Sequence, residues 1–133
     1  MLEAHLTEVP FFSSLSKREI QEIARATDEI DVKQGEVLAR EGDVGHEFFV
    51  IIEGSAEVVR GGERIAELGK GDFFGEMALV GDEPRMATVS ATSPMRVAVM
   101  SRSAFRSFDR TMPAVHGRVV EAIEARRAAA SSS

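Results

Sequence analysis

Residues 73–89 read F-F-G-E-M-A-L-V-G-D-E-P-R-M-A-T-V. A glycine and a glutamate open a short apolar run, and an arginine follows the glutamate by nine residues, directly behind a proline. Gly75 admits a backbone geometry that a side chain would block, and it lets a ligand come close to the main chain. Glu76 to Val80 has room for little more than one helical turn. The first N–H groups of such a turn lack partners within it, and with the local dipole they favour an anion. Pro84 restricts the backbone entering Arg85 and so partly fixes its direction. The planar fork of Arg85 suits two oxygens of a phosphate better than a lysine would. An acid, free N–H groups and an arginine in one loop fit a ligand that carries both hydroxyl and phosphate.

The rest of the chain narrows what can surround this loop. Its 133 residues make one domain's worth, enough for a sizeable core, and 44% hydrophobic with 29% charged residues is ordinary for a soluble globular protein. The absence of cysteine excludes disulfides, thiolate metal sites and cysteine nucleophiles. His5, His46 and His116 are far apart and lack metal-ligand spacing, so no metal or other cofactor is expected. A net charge of −6 weighs against nucleic acid and anionic membranes as direct partners. The central apolar run Phe48 to Ile52 is far too short to span a bilayer. The N-terminus M-L-E-A-H-L-T-E has no signal-peptide character, and a cytoplasmic location is expected.

Taken in order, residues 7–27 read as helical. Ser16 and Glu19 match a capping box. Leu15, Ile20, Ile23 and Ala24 keep a mostly helical spacing, with Lys17, Arg18, Glu22 and Arg25 on the wetter side. Pro10 and the pair Phe11–Phe12 form a turn whose rings are expected to pack on the domain. From Asp28 to Met100 the pattern becomes short β-favouring segments, at 30–33, 36–40, 48–53, 56–60, 64–68, 88–91 and 96–100. Ten of the eleven glycines fall between Gly35 and Gly81, at roughly hairpin spacing. Many short strands with regular turns argue for a jelly roll or barrel over a parallel sheet. No G-x-G-x-x-G joins a strand to a long helix, which excludes a Rossmann unit. After Met100 the chain turns helical again, with Phe105 and Phe108 three apart. Pro113 breaks that run, and a second helix over 114–129 carries Val115, Val119, Ala122 and Ile123 on one face. A frayed tail is expected at 130–133. The whole reads as a single domain, 1–133: helical 7–27, β-roll 28–100, C-terminal helices 101–129.

Q-G-E-V-L-A-R-E-G-D at 34–43, F-F-V-I-I-E-G at 48–54, and above all F-G-E-M-A-L with P-R-M-A-T-V, are similar to the cyclic nucleotide-binding domains. The resemblance covers residues 8–127, and the last two motifs together match that family's phosphate-binding cassette. It implies a mainly β fold, an eight-stranded β-roll (jelly roll) with an N-terminal helical segment and two C-terminal helices. It also implies a regulatory module, not an enzyme, with cAMP or cGMP as ligand. Glu76 would accept from the ribose 2′-hydroxyl and Arg85 would hold the cyclic phosphate. Backbone N–H groups near Ala78, Met86 and Ala87 would complete the anion cradle beside Phe74, Gly75, Met77 and Leu79. In family members that prefer cGMP, the residue after the arginine is often a hydroxyl residue. Met86 offers no useful donor or acceptor there, so cAMP is expected ahead of cGMP, with the thioether packing on the purine.

In this family binding moves the cassette and repacks the helices behind the roll, so residues 101–110 would move and 114–127 would cover the base. With no tryptophan or tyrosine available, Val119, Val120 or Ile123 is expected to give apolar cover, with Arg118, Arg126 or Arg127 stacking on the base. Taken singly, Arg85 reads as an exposed turn arginine and Glu76 as a first-turn acid; the combination with Gly75 and P-R-M-A-T-V is what points to a site. Asp82 and Glu83 read as solvated loop acids, and His46 as a surface turn residue. Two other functions compete: an interaction domain that keeps the fold without a ligand, and a cupin-like metalloenzyme, which would need clustered histidines. The effector or partner protein is not specified by the sequence, and a monomer or weak homodimer is expected. The apolar face of the last helix is explained by packing on the roll or by a dimer.

Overall fold

The computed structural model describes residues 2–132. Its elements begin with α1 (Leu2–Thr7), a 3-10 turn at Pro10–Phe12 and α2 (Lys17–Arg25). Eight strands follow: β1 (Asp28–Val32), β2 (Val37–Ala39), β3 (Glu47–Glu53), β4 (Ala56–Arg60), β5 (Glu63–Leu68), β6 (Phe73–Phe74), β7 (Thr88–Ala91) and β8 (Met95–Ser101). A 3-10 turn at Glu76–Leu79 separates β6 from β7, and α3 (Arg102–Thr111) and α4 (Pro113–Ser132) close the chain. The strands form two antiparallel sheets, ordered β1-β8-β3-β6 and β2-β7-β4-β5. This is the eight-stranded β-roll with flanking helices.

The run F-F-V-I-I explains the layering. A strand with one wet face alternates apolar and polar side chains, and this one does not. The reason is that β3 is covered on both sides. Phe49 and Ile51 point between the sheets, with Val97 and Val99 of β8, Val89 and Ala91 of β7, and Ala56 of β4. Phe48, Val50 and Ile52 point the other way into a second core, against Ile20 and Ile23 of α2, Phe105 and Phe108 of α3, and Val115, Val119 and Ile123 of α4. The apolar face of α4 is thus covered within the chain. Phe12 meets Phe48 edge-on, with ring centroids 6.2 Å apart; the ring of Phe11 lies outside the described side chains. Among the described residues no helix is long and apolar enough to cross a membrane.

Several element ends differ from expectation. The N-terminal region is not one helix over 7–27: α1 starts at Leu2, and the chain turns at Pro10 and again before the Ser16 cap. There Ser16 Oγ accepts from the Glu19 N–H at 3.1 Å, while Glu19 Oε1 accepts from the Ser16 N–H at 2.8 Å. Strand β1 is Asp28–Val32, not 30–33; its acids are held by Arg96 of β8, which donates to Glu29 and Asp31 at 3.0 Å each. Strand β6 has two residues, too few for any periodicity to register. Ser101 Oγ caps α3 through the Ala104 N–H, and Pro113 opens α4, where its missing N–H costs nothing. The helix runs to Ser132, so 130–132 continue it where a frayed tail is expected; alanine is the best helix former.

Ile51 is fully buried between the sheets. Ile51→Ala is expected to lower the unfolding free energy by about 2–5 kcal/mol, and Ser16→Ala by about 1 kcal/mol through the lost cap. Urea unfolding midpoints check both. A loss at position 51 no larger than that at position 16 would contradict the two-sided burial of β3.

Candidate functional site

Strand β6 delivers the chain to Gly75, which has φ +84° and begins the 3-10 turn Glu76–Leu79. That left-handed conformation favours glycine. Space demands it too, because a Cβ here would lie 2.5 Å from Arg85 Nη1 and 2.7 Å from the Glu47 carbonyl. The turn closes with Ala78 N–H donating to Gly75 O at 3.1 Å. This corrects one expectation: the Ala78 N–H is engaged by the turn, because a 3-10 bond closes one residue earlier than an α-helical one. Leu79, expected at the ligand, is 2% exposed and belongs to the helix-side core. It anchors the turn.

Arg85 is fixed at both backbone ends. Its N–H donates to Asp43 O at 2.7 Å, and its carbonyl accepts from the Gly42 N–H at 2.8 Å; Pro84 bridges Val44. The glycine-bearing turn before β3 therefore docks on P-R-M. The side chain crosses Gly45, where an added Cβ would collide with the guanidinium, and Nη2 donates to Glu47 O at 2.8 Å. Burial pushes the Arg85 pKa below the usual guanidinium value, while the charges of Glu47 and Glu76 act upward. A half-buried guanidinium at the cavity, carrying several N–H donors, is chemically suited to an anion.

Phe74, Gly75, Glu76, Met77, Ala78, Arg85, Met86 and Ala87 all line one cavity of ≈ 510 Å³. That is in the usual range for a small-molecule site. Ala39, Val58, Leu68 and Val89 give it an apolar wall that sequence reading missed. Those four lie on β2, β4, β5 and β7, and only the pairing of these strands brings them together. Met86 stands on the rim, 73% exposed. One side of the cavity thus carries an acid and a cation, and another an apolar surface, which suits a polar anionic group joined to a flat apolar one.

Of the residues expected to cover a base, Arg118, Val119, Val120 and Ile123 are not among those lining this cavity. Val119 and Ile123 are buried in the helix-side core, and Val120 packs against it. Arg118 donates to Glu19 of α2 at 3.0 Å. The apolar face of α4 is covered within the chain, one of the two explanations its spacing allows. The side chains of Arg126 and Arg127 lie outside the described residues. Among the described residues no three potential metal ligands come together.

Sequence reading also missed Arg102. It is 7% exposed, and its Nε donates to Ala78 O at 2.6 Å. Its other nitrogens donate to Gly81 O and pair with Asp82. Asp82 is therefore more than a solvated loop acid, and its hydrogen bond with Arg102 holds its carboxyl below the usual range. Nothing in R-S-A-F marks this arginine as buried.

The packing of Arg85 on Gly45 has a direct check. Gly45 has no left-handed φ, and the three atoms nearest an added Cβ all belong to the far end of the Arg85 side chain, so Gly45→Ala is expected to cost less than about 1 kcal/mol. It is also expected to displace the guanidinium and shift the Arg85 Nε resonance. An unchanged resonance would contradict the contact.

Known proteins resemble this arrangement. A cAMP-dependent protein kinase regulatory subunit from Hypocrea atroviridis is 42% identical over 106 residues, 80% of this chain and 23% of that protein. This chain thus spans less than a quarter of that relative's length. The N-terminal domain of a transcriptional regulator from Streptomyces coelicolor A3(2) shares the fold, with TM-score 0.86 at 22% identity over 97% of this chain and 96% of that one. The regulatory domain of Toxoplasma gondii PKA, co-crystallised with cAMP, gives TM-score 0.73 at 28% identity, covering 92% and 48%. The regulatory subunit of a cAMP-independent protein kinase A from Trypanosoma brucei gives 0.74 at 28%, covering 92% and 43%. The family model for the cyclic nucleotide-binding domain matches residues 29–111, and the chain belongs to that family.

Proposed function

We propose that the cavity binds a cyclic nucleotide, cAMP in preference to cGMP, and that this occupancy is the regulatory signal. The observation that carries the reading is the meeting of Gly75, Glu76 and Arg85 with an apolar wall in one cavity. Glu76 accepts from the ribose 2′-hydroxyl. Arg85 turns donors beside Gly75 to the cyclic phosphate, whose charge offsets the partial desolvation of the guanidinium. The base lies against the apolar surface, and Met86 at the rim packs on it without selecting for the guanine amino group. On this reading the chain is a binding module without catalytic work of its own, which its family membership supports.

Base cover by α4 requires a rearrangement, because Val119 and Ile123 are committed to the core in this form. Binding would shift α3 and α4 and change the surface they offer to an effector or partner protein. A second reading, a β-roll interaction domain without ligand, is supported by the internal bond of Arg85 to Glu47 O and by the likeness to a cAMP-independent regulatory subunit.

Calorimetry on variants separates the two. Charge-assisted hydrogen bonds contribute roughly 1.5–3 kcal/mol, so Arg85→Ala is expected to weaken cAMP binding by at least about tenfold. Glu76→Gln keeps a neutral acceptor and is expected to weaken it less. Equal affinity in wild type and Arg85→Ala would refute the assignment of Arg85 to the phosphate.

A further inference from the structure

Arg102 is the one charged side chain buried among the described residues. A buried guanidinium is costly without acceptors, and this one finds them all in the loop that forms the cavity. Nε donates to Ala78 O at 2.6 Å, and the remaining nitrogens reach Gly81 O and Asp82. Ala78 itself lines the cavity. The Arg102 N–H donates to His46 O at 2.7 Å, and the next carbonyl, that of Glu47, accepts from Arg85. Two arginines, one facing the cavity and one behind it, therefore hang on adjacent carbonyls at the start of β3.

The position is electrostatically wrong for α3. Arg102 is the first residue of that helix, where the macrodipole disfavours a cation. It is right for the carbonyl end of the Glu76–Leu79 turn, where a cation satisfies carbonyls left without partners. The side chain thus belongs to the cavity loop by its bonds and to α3 by its backbone. An apolar residue could fill the space but would not tie the two together.

We infer that Arg102 is the positioning residue that transmits occupancy of the cavity to α3 and α4. This rests on the cyclic nucleotide reading. A ligand drawn onto Gly75–Ala78 moves the Ala78 and Gly81 carbonyls, and Arg102 carries that displacement into the first turn of α3. Asp82, on the solvent side, steadies the grip without touching the ligand.

Hydrogen exchange on the full chain, with and without saturating cAMP, tests this in wild type, Arg102→Lys and Asp82→Ala. In wild type, cAMP is expected to change amide protection both at 75–87 and at 102–123. Lysine keeps the charge but cannot reach three acceptors. In Arg102→Lys the response at 75–87 is expected to persist, with cAMP affinity within about tenfold of wild type. The response at 102–123 is expected to fall by at least half. Asp82→Ala, whose side chain is 77% exposed, is expected to give a smaller loss of the same kind. It decides the matter alone if Arg102→Lys does not fold. A full-size response at 102–123 in the folded variants overturns the inference while leaving cAMP binding intact. A wild type that shows no response at 75–87 overturns the binding reading itself, and the inference with it.

Discussion

Strand β3 has no free face, and the rest of the molecule is arranged around that constraint. Phe49 and Ile51 hold the two sheets together, while Phe48, Val50 and Ile52 hold the helices. Burying one such side chain removes roughly 1.5–3 kcal/mol worth of apolar surface from water, so displacing β3 would strip both cores at once. The helices and the roll therefore share one rigid reference. The carbonyls of His46 and Glu47, at the edge of this strand, inherit that rigidity.

The site is built on those two carbonyls. Glu47 O orients the guanidinium of Arg85, and His46 O fixes the first residue of α3. The glycines around them are explained by the same geometry: Gly45 and Gly75 leave the space that Arg85 occupies. The turn carrying Glu76 is held from the helix side. Its links include a 3-10 turn, the buried Ala78 and Leu79 and the grip of Arg102. Arg85 is thus tied to β3 and the Glu76 turn to α3, so the two halves of the site rest on different elements.

Much of this was legible in the sequence. Glycine-punctuated segments gave the roll, and F-F-V-I-I read as one short apolar strand, whose two buried faces only the packing shows. The combination F-G-E-M-A-L with P-R-M-A-T-V located the loop and its arginine, and all of its expected residues but Leu79 line one cavity. What was hidden depended on pairing across the sheets. The wall of Ala39, Val58, Leu68 and Val89 comes from four strands. The two-residue β6 exists only through its partner β3. Val119 and Ile123, assigned to base cover only through the resemblance, lie in the helix-side core, and packing on the roll is one of the two explanations the apolar face of α4 allows from sequence. Arg102 was missed because burial of a single arginine leaves no periodic mark.

The central claim is that this cavity recognises a cyclic phosphate joined to a nucleoside. Isothermal titration of the wild-type chain with cAMP and with 5′-AMP, side by side, tests it most directly. The account predicts saturable binding of cAMP at one site per chain and binding of 5′-AMP weaker by at least about tenfold. The absence of cAMP binding, or equal affinity for the two nucleotides, would contradict it.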